Sequence, residues 1–236
     1  MKKSVLQSFI NKYHLAGIAE SVKVVSNEKL ECDFISDDQN LVGNVTFKSK
    51  QIEDAELGIY QTSQLNKLLT ALDDDLDIKL DKANDTFFSM TLSDKKTNVK
   101  FMLADLSIIK KTPALKDLPA FDIELEIDSE LADKFIRAKN ALSDANIFAV
   151  KCDGKTTQFI LNYSTTMTNR ITFDVKTTKA SNADMVAFSA NTFKEILVAN
   201  KGMKGTMKIS SKGIANIEFD DKEFASRYFL VKQQVS

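Results

Sequence analysis

Apolar residues in this chain recur at two spacings, and the spacings alternate in a fixed order. Leu6, Phe9, Ile10 and Tyr13 share one face of a 3.6-residue repeat, which predicts a helix over residues 4–15. The runs SVKVV, KLECDFIS, NVTFKSK and ELGIYQ then alternate with period two and are rich in β-branched residues, which predicts strands. A second helix is predicted over 63–72, with Leu65, Leu68, Leu69 and Leu72 inward, ending in the acidic turn Asp73, Asp74, Asp75. LDIKLD, TFFSMTL and NVKFML read as three more strands, up to about residue 105. The order then repeats. FDIELEI leads into a helix from Ser129 that carries Leu131, Phe135, Ile136 and Leu142, with Glu130 and Asp133 in its first turns. NIFAV, TTQFILNY, NRITFDV and DMVAFS follow, then a helix over 191–200, then GTMKIS, IANIEF and SRYFLVKQ.

The two halves also keep step residue by residue. NVTF at Asn44 returns as RITF at Arg170, and Phe9-Ile10 as Phe135-Ile136, both at a step of 126; Phe34 returns as Phe159 at 125. Tyr60, Leu65, Leu68 and Leu69 answer Phe188, Phe193, Ile196 and Leu197 at 128, and IKL at Ile78 answers MKI at Met207 at 129. A drift of this size is what loop insertions produce, so the chain reads as two copies of one α+β unit. Between the copies, DLSIIKKTPALKDLPAF holds both prolines of the chain, Pro113 and Pro119, and suits neither a central strand nor a helix interior. The expected division is a first domain over 1–105, a connector over 106–120 and a second domain over 121–236.

Bulk composition narrows the function. The 236 residues, 43% of them hydrophobic, suffice for two ordinary cores, and no run approaches the roughly 18 apolar residues of a membrane span. A soluble intracellular protein is expected, with no membrane partner and with Cys32 and Cys152 as reduced core residues. His14 is the only histidine, so a zinc site lacks candidate ligands, and no metal or other cofactor is expected. Asp73 to Asp75 could hold a divalent ion in an enzyme, with Asp220 and Asp221 imagined beside them. Adjacent aspartates in short turns are ordinarily solvated loop residues, no nucleophile–base pair is evident, and no catalytic residue is expected.

Charge points to a class of partner once it is sorted by element. The helical windows 2–15, 62–72, 129–142 and 190–204 carry +3, +1, +1 and +2, leaving −8 for the rest of a chain whose net charge is −1. Their non-core faces hold Ser4, Ser8, Asn11, Asn66, Lys67, Thr70, Lys134, Arg137, Lys194 and Lys201, a polar and basic set suited to a polyanion. No helix carries a cluster of base-reading side chains, so the contacts expected are with phosphates and independent of sequence.

Two tandem helix–strand–helix–strand units, a connector near residue 112, basic helices and acidic sheets together resemble the DNA sliding clamps. The likeness spans almost the whole chain. It is strongest to the clamps, or polymerase processivity factors, of T-even-like tailed bacteriophages and to proliferating cell nuclear antigen, and the segment IEDAELGIYQTSQLNKLLTALDDDLDIKL is similar to the phage clamps' strand, helix and acidic turn. The resemblance implies two clamp-type domains, antiparallel sheets outside and four helices inside, assembling into a closed ring. Simple geometry agrees on size. Helices roughly 10 Å across, four per chain, leave an opening of about 15 Å for two chains and about 28 Å for three, and a duplex whose grooves are together roughly 16 Å deep needs the larger one.

The same resemblance assigns roles. Lys3, Lys12, Lys67, Lys134, Arg137, Lys139, Lys194, Lys201 and Lys204 would face duplex DNA. Asn98, Val99, Phe101 and Leu103 would pair with Arg170, Ile171, Phe173 and Val175 of a neighbouring copy, making a homotrimer, while the strand around NVTF would pair with the last strand of its own chain. Ile108, Ile109, Leu115 and Leu118, with Val231, would form an apolar pocket for short peptides of partners such as the replicative DNA polymerase. A separate ATP-driven loader would open the ring, since the chain has no phosphate-cradling glycine loop. The expected compartment is the cytoplasm, that of the host cell for a phage protein. A β-rich oligomeric adaptor or structural protein that never encircles DNA is the alternative.

Overall fold

The computed structural model describes residues 1–115, 117–166 and 168–235. The chain divides into two compact units: Met1–Pro113 with Lys222–Ser226, and Ala114–Asp221 with Arg227–Ser236. The chain therefore returns to its first unit for five residues near its end.

In the first unit, helix α1 (Lys3–His14) packs beside helix α2 (Thr62–Leu69). Strands β1 (Val22–Ser26), β2 (Leu30–Ile35), β3 (Leu41–Phe47) and β4 (Ala55–Ile59) form an antiparallel sheet in the order β3-β2-β1-β4. Strands β5 (Asp77–Ala83), β6 (Thr86–Ser93) and β7 (Asn98–Met102) form a second, three-stranded one. Phe9, Ile10 and Tyr13 from α1, Leu65 and Leu69 from α2, and Val24, Phe34 and Val45 from the sheet are all buried. The NVTF segment lies in β3, and the returning segment closes on its end: Lys48 N–H donates to Glu223 O at 2.8 Å, and the Phe47 and Phe224 rings lie 5.0 Å apart. Helix α1 stops because Leu15 and Ala16 adopt left-handed backbone before Gly17.

The second unit repeats the plan with helices α3 (Ser129–Ala141) and α4 (Ala190–Ala199), which pack on each other. One sheet runs β12 (Thr177–Ala180), β8 (Ile123–Ile127), β14 (Gly205–Ser210), β15 (Ile214–Asp220), β16 (Phe224–Val231). The other runs β11 (Ile171–Val175), β10 (Thr157–Leu161), β9 (Ile147–Asp153), β13 (Asn182–Ser189). Asp128 caps α3 by accepting from Leu131 N–H at 2.8 Å, and Ser189 caps α4 by accepting from Thr192 N–H at 3.2 Å. Between them lies an aromatic hub. Phe148 has Phe135, Phe193 and Phe159 at centroid distances of 5.0, 5.0 and 5.2 Å, all fully buried.

Strand β12, sequence TTKA, is the element that the hydrophobic pattern does not predict, because nothing in it is apolar but the terminal alanine. Both cysteines are buried and unpaired, and burial pushes the Cys32 thiol well above its ordinary range. Among the described residues, no helix is long and apolar enough to cross a membrane.

Candidate nucleic-acid interface

Helical periodicity decides which side chains can meet a polyanion. In α1 and α2 the core stripe leaves Ser4, Ser8, Asn11, Gln64, Lys67 and Thr70 exposed, and neither helix contains a carboxylate. On α3, Lys134 and Arg137 are exposed beside Asp133. On α4, Lys194 is half-buried with its ammonium 3.5 Å from Glu195, while Lys201 and Lys204 follow the helix in exposed positions. Two cations expected on this surface are buried instead. Lys12 is 4% exposed, its ammonium 5.2 Å from the centre of the Phe224 ring, and Lys139 is 5% exposed and donates to Ser143 O at 2.6 Å. Their burial follows from spacing: Lys12 stands three residues after Phe9 and Lys139 four after Phe135, on the flank of each core stripe. Lys3 is half-buried and donates to Leu72 O.

The helices of the first unit are fixed by a polar junction that periodicity does not reveal. Helix α2 has no capping side chain of its own, and Glu20 supplies one from the loop after α1. Its carboxylate accepts from Ser63 N–H at 2.9 Å and from Ser63 Oγ, its main-chain oxygen accepts from Thr62 Oγ1 at 2.9 Å, and His14 Nε2 lies 3.0 Å from both Glu20 Oε1 and Ser63 Oγ. Burial opposes ionisation of Glu20, but the bonds from Ser63 and His14 outweigh it and hold the carboxyl below its ordinary range. The serine and the glutamate share one ring nitrogen of His14, so this is a structural clasp rather than a nucleophile relay. The acidic turn is likewise structural. Asp74 accepts from Ser4 N–H at 3.0 Å and pairs with Lys2 at 3.4 Å. Among the described residues, no group of three or more His, Cys, Asp or Glu is placed to hold a metal ion.

The strands assigned to contacts between copies are both at sheet edges. β7 ends the β5-β6-β7 sheet and β11 ends the β11-β10-β9-β13 sheet. In both the alternation is the same: Val99 and Phe101 are buried between exposed Asn98, Lys100 and Met102, and Phe173 and Val175 are buried beside exposed Thr172 and Asp174. Leu103 and Ile171 are half-buried and Arg170 is exposed. Of the residues assigned to a partner pocket, Ile108 (59% exposed) and Ile109 (6%) lie in the first unit, and Leu115, Leu118 and Val231, each about 40% exposed, lie in the second. Ile108 shares a groove of about 710 Å³ with Tyr60, Lys67 and Lys110; Ile109 shares one of about 490 Å³ with Val25, Leu106 and Thr112. Tyr60, 52% exposed, is an apolar contributor that its place in the repeat does not single out.

No family model matches the chain, and no curated protein matches it by sequence. Solved structures do match. The chain is similar to PCNA of A. fulgidus, in a structure with the C-terminal region of FEN-1 bound, at 13% identity and a TM-score of 0.77, over 100% of this chain and 98% of that one. It is similar to PCNA of Entamoeba histolytica at 14% identity and a TM-score of 0.75, over 99% and 96% of the two chains. A third match is to the PCNA2-PCNA3 complex of Sulfolobus tokodaii, at 9% identity and a TM-score of 0.74, over 99% and 98%. With both units and all four helices inside these matches, the chain has the two-domain fold of PCNA-type clamps.

Proposed function

We propose that this protein is a DNA sliding clamp: three copies join head to tail into a ring around duplex DNA and hold the replicative polymerase near its primer end. The observation that carries the proposal is the match to PCNA chains over essentially the whole length of both partners, which leaves no part of the chain outside a clamp. Two local features support it. Helices α1 and α2 present polar and basic side chains with no carboxylate, and β7 and β11 offer edges of equal length and matching alternation.

Lys67, Lys134, Arg137, Lys194, Lys201 and Lys204, with Lys3 partly available, carry the phosphate contacts. Such contacts are weak and indifferent to sequence, so the ring slides while its topology prevents escape. Partner peptides dock at the connector, through Ile108, Ile109, Leu115, Leu118 and Val231; a PCNA chain binding the C-terminal region of FEN-1 supports a peptide in that role. Tethering raises the local concentration of polymerase without any chemistry by the clamp, and an ATP-driven loader opens the ring. The finer likeness to T-even-like phage clamps rests on the segment 52–80.

The test is the triple variant Lys67→Ala, Arg137→Ala, Lys194→Ala in primer extension on a long template with a cognate polymerase and loader. An unchanged solution mass with shortened products is expected, and each phosphate contact removed flattens the log–log salt dependence of DNA binding by about 0.9. Wild-type product lengths from that variant would sink the proposal and favour an oligomeric adaptor that does not encircle DNA.

A further inference from the structure

We infer that β7 of one copy pairs with β11 of the next in a single antiparallel register, the one that sets Lys100 opposite Asp174. The inference rests on the ring proposed above and adds what that proposal leaves open, namely which residues face each other across the joint.

Main-chain direction restricts the choice first. Leu103 N–H donates to Phe88 O at 2.9 Å, toward β6, whereas Ala104 N–H donates to Gly58 O at 2.8 Å on the other side. Alternation along the strand then leaves the N–H and C=O groups of Asn98, Lys100 and Met102 on the open edge. On the other strand, Asn162 N–H donates to Ile147 O at 3.0 Å, toward β9. Leu161, Phe159 and Thr157 therefore turn their main-chain groups to β11, where Ile171, Phe173 and Val175 lie opposite, and Thr172 and Asp174 face the open edge. In both strands the residues with free main-chain groups are the ones with exposed side chains. Pairing open residues with open residues thus sets buried against buried as well.

Besides a register that sets Lys100 against Arg170, two cations face to face, three registers keep that match. One opposes Lys100 to Lys176, placing like charges face to face, and a second opposes it to Thr172. The third opposes Lys100 to Asp174, Val99 to Val175, Phe101 to Phe173 and Met102 to Thr172. It alone forms an ion pair, and with Leu103 opposite Ile171 it joins three apolar pairs on the core side where each of the other two joins two; it also covers Met102, otherwise 62% exposed. Both charged side chains are already held in place. Lys100 Nζ is 3.0 Å from Asp81 and 5.7 Å from the centre of the Phe88 ring, and Asp174 Oδ1 accepts from Gln158 Nε2 at 2.8 Å. Docking adds a second carboxylate to a lysine that has little freedom left to lose.

Two experiments test the register together. The pair Lys100→Cys with Asp174→Cys, under a mild oxidant, is expected to give disulfide-linked dimers and trimers on a non-reducing gel, because directly opposed residues sit about 5.5 Å apart and within disulfide reach. A register shifted by two residues moves the pair about 7 Å along the strand, and no link forms. Native Cys32 and Cys152 are buried and do not compete. In sedimentation, Lys100→Glu and Asp174→Lys are each expected to weaken association roughly five-fold per contact, and their combination to restore it. If the wild type associates but neither the link nor the restoration appears, the register is wrong and the ring stands. If the wild type never associates, the ring proposal falls and the register with it.

Discussion

Gly58 marks the point where the start of the connector is pinned to the first unit, and replacing it should release that segment. A β-carbon there would fall well inside van der Waals contact of the Ala104 carbonyl oxygen, 3.2 Å from its carbonyl carbon and 3.3 Å from Ile109 Cγ1. Backbone lies on one side and a buried side chain on the other, so neither can swing aside. The bridge between Gly58 and Ala104, with its 2.8 Å hydrogen bond, must open. Losing that bond costs about 0.5–1.5 kcal/mol, and forcing a methyl group into a packed site costs about 1–3 kcal/mol, so Gly58→Ala should destabilise the first unit by about 1.5–4.5 kcal/mol. Urea unfolding measures the total, and hydrogen exchange at Ala104 and Ile109 locates it. Because Ile109 carries part of the proposed peptide pocket, partner-peptide affinity should fall with the protection of those amides. A loss below about 0.5 kcal/mol, or unchanged exchange at Ala104, would mean that Gly58 does not pin the connector.

Phe148→Ala in the second unit should cost about 3–5 kcal/mol, read by thermal or urea unfolding, because four other phenylalanine rings lie within 5.9 Å of its centroid. Glu20→Gln should cost about 1–2 kcal/mol at neutral pH by weakening charge-assisted bonds from Ser63 and His14. The Glu20 carboxyl is depressed in the folded chain, so its contribution is present above the ordinary value of 4.5 and is lost as the pH falls through the folded one. Acid titration of stability should accordingly be shallower below about pH 4.5 in the variant; parallel acid limbs would remove Glu20 from the clasp.

The repeat and its elements are legible in the sequence because burial writes a period into each of them. Phe135, Phe159 and Phe193 recur at the places that Phe9, Phe34 and Leu65 hold in the first copy, and all are buried. β12 is not legible, since TTKA forms a strand through its ladder with β8 and not through an apolar face. The charge count treats each lysine on a helix as solvated, yet Lys12 and Lys139 run their stems along the core and spend their ammoniums on a ring and a carbonyl. Position on the stripe reveals that burial, whereas net charge conceals it. Glu20 is the opposite case. Nothing near it in sequence tells that it caps a helix 43 positions on, because the cap exists only once α1 and α2 lie side by side.

The claim on which the rest depends is that this chain closes a ring, and light-scattering mass across a concentration series tests it most directly. A species near three times 26.4 kDa is predicted, falling toward the single-chain mass only on dilution. A mass of 26.4 kDa at every concentration would contradict it, leaving the basic helices with no opening to line and the edges of β7 and β11 without a partner.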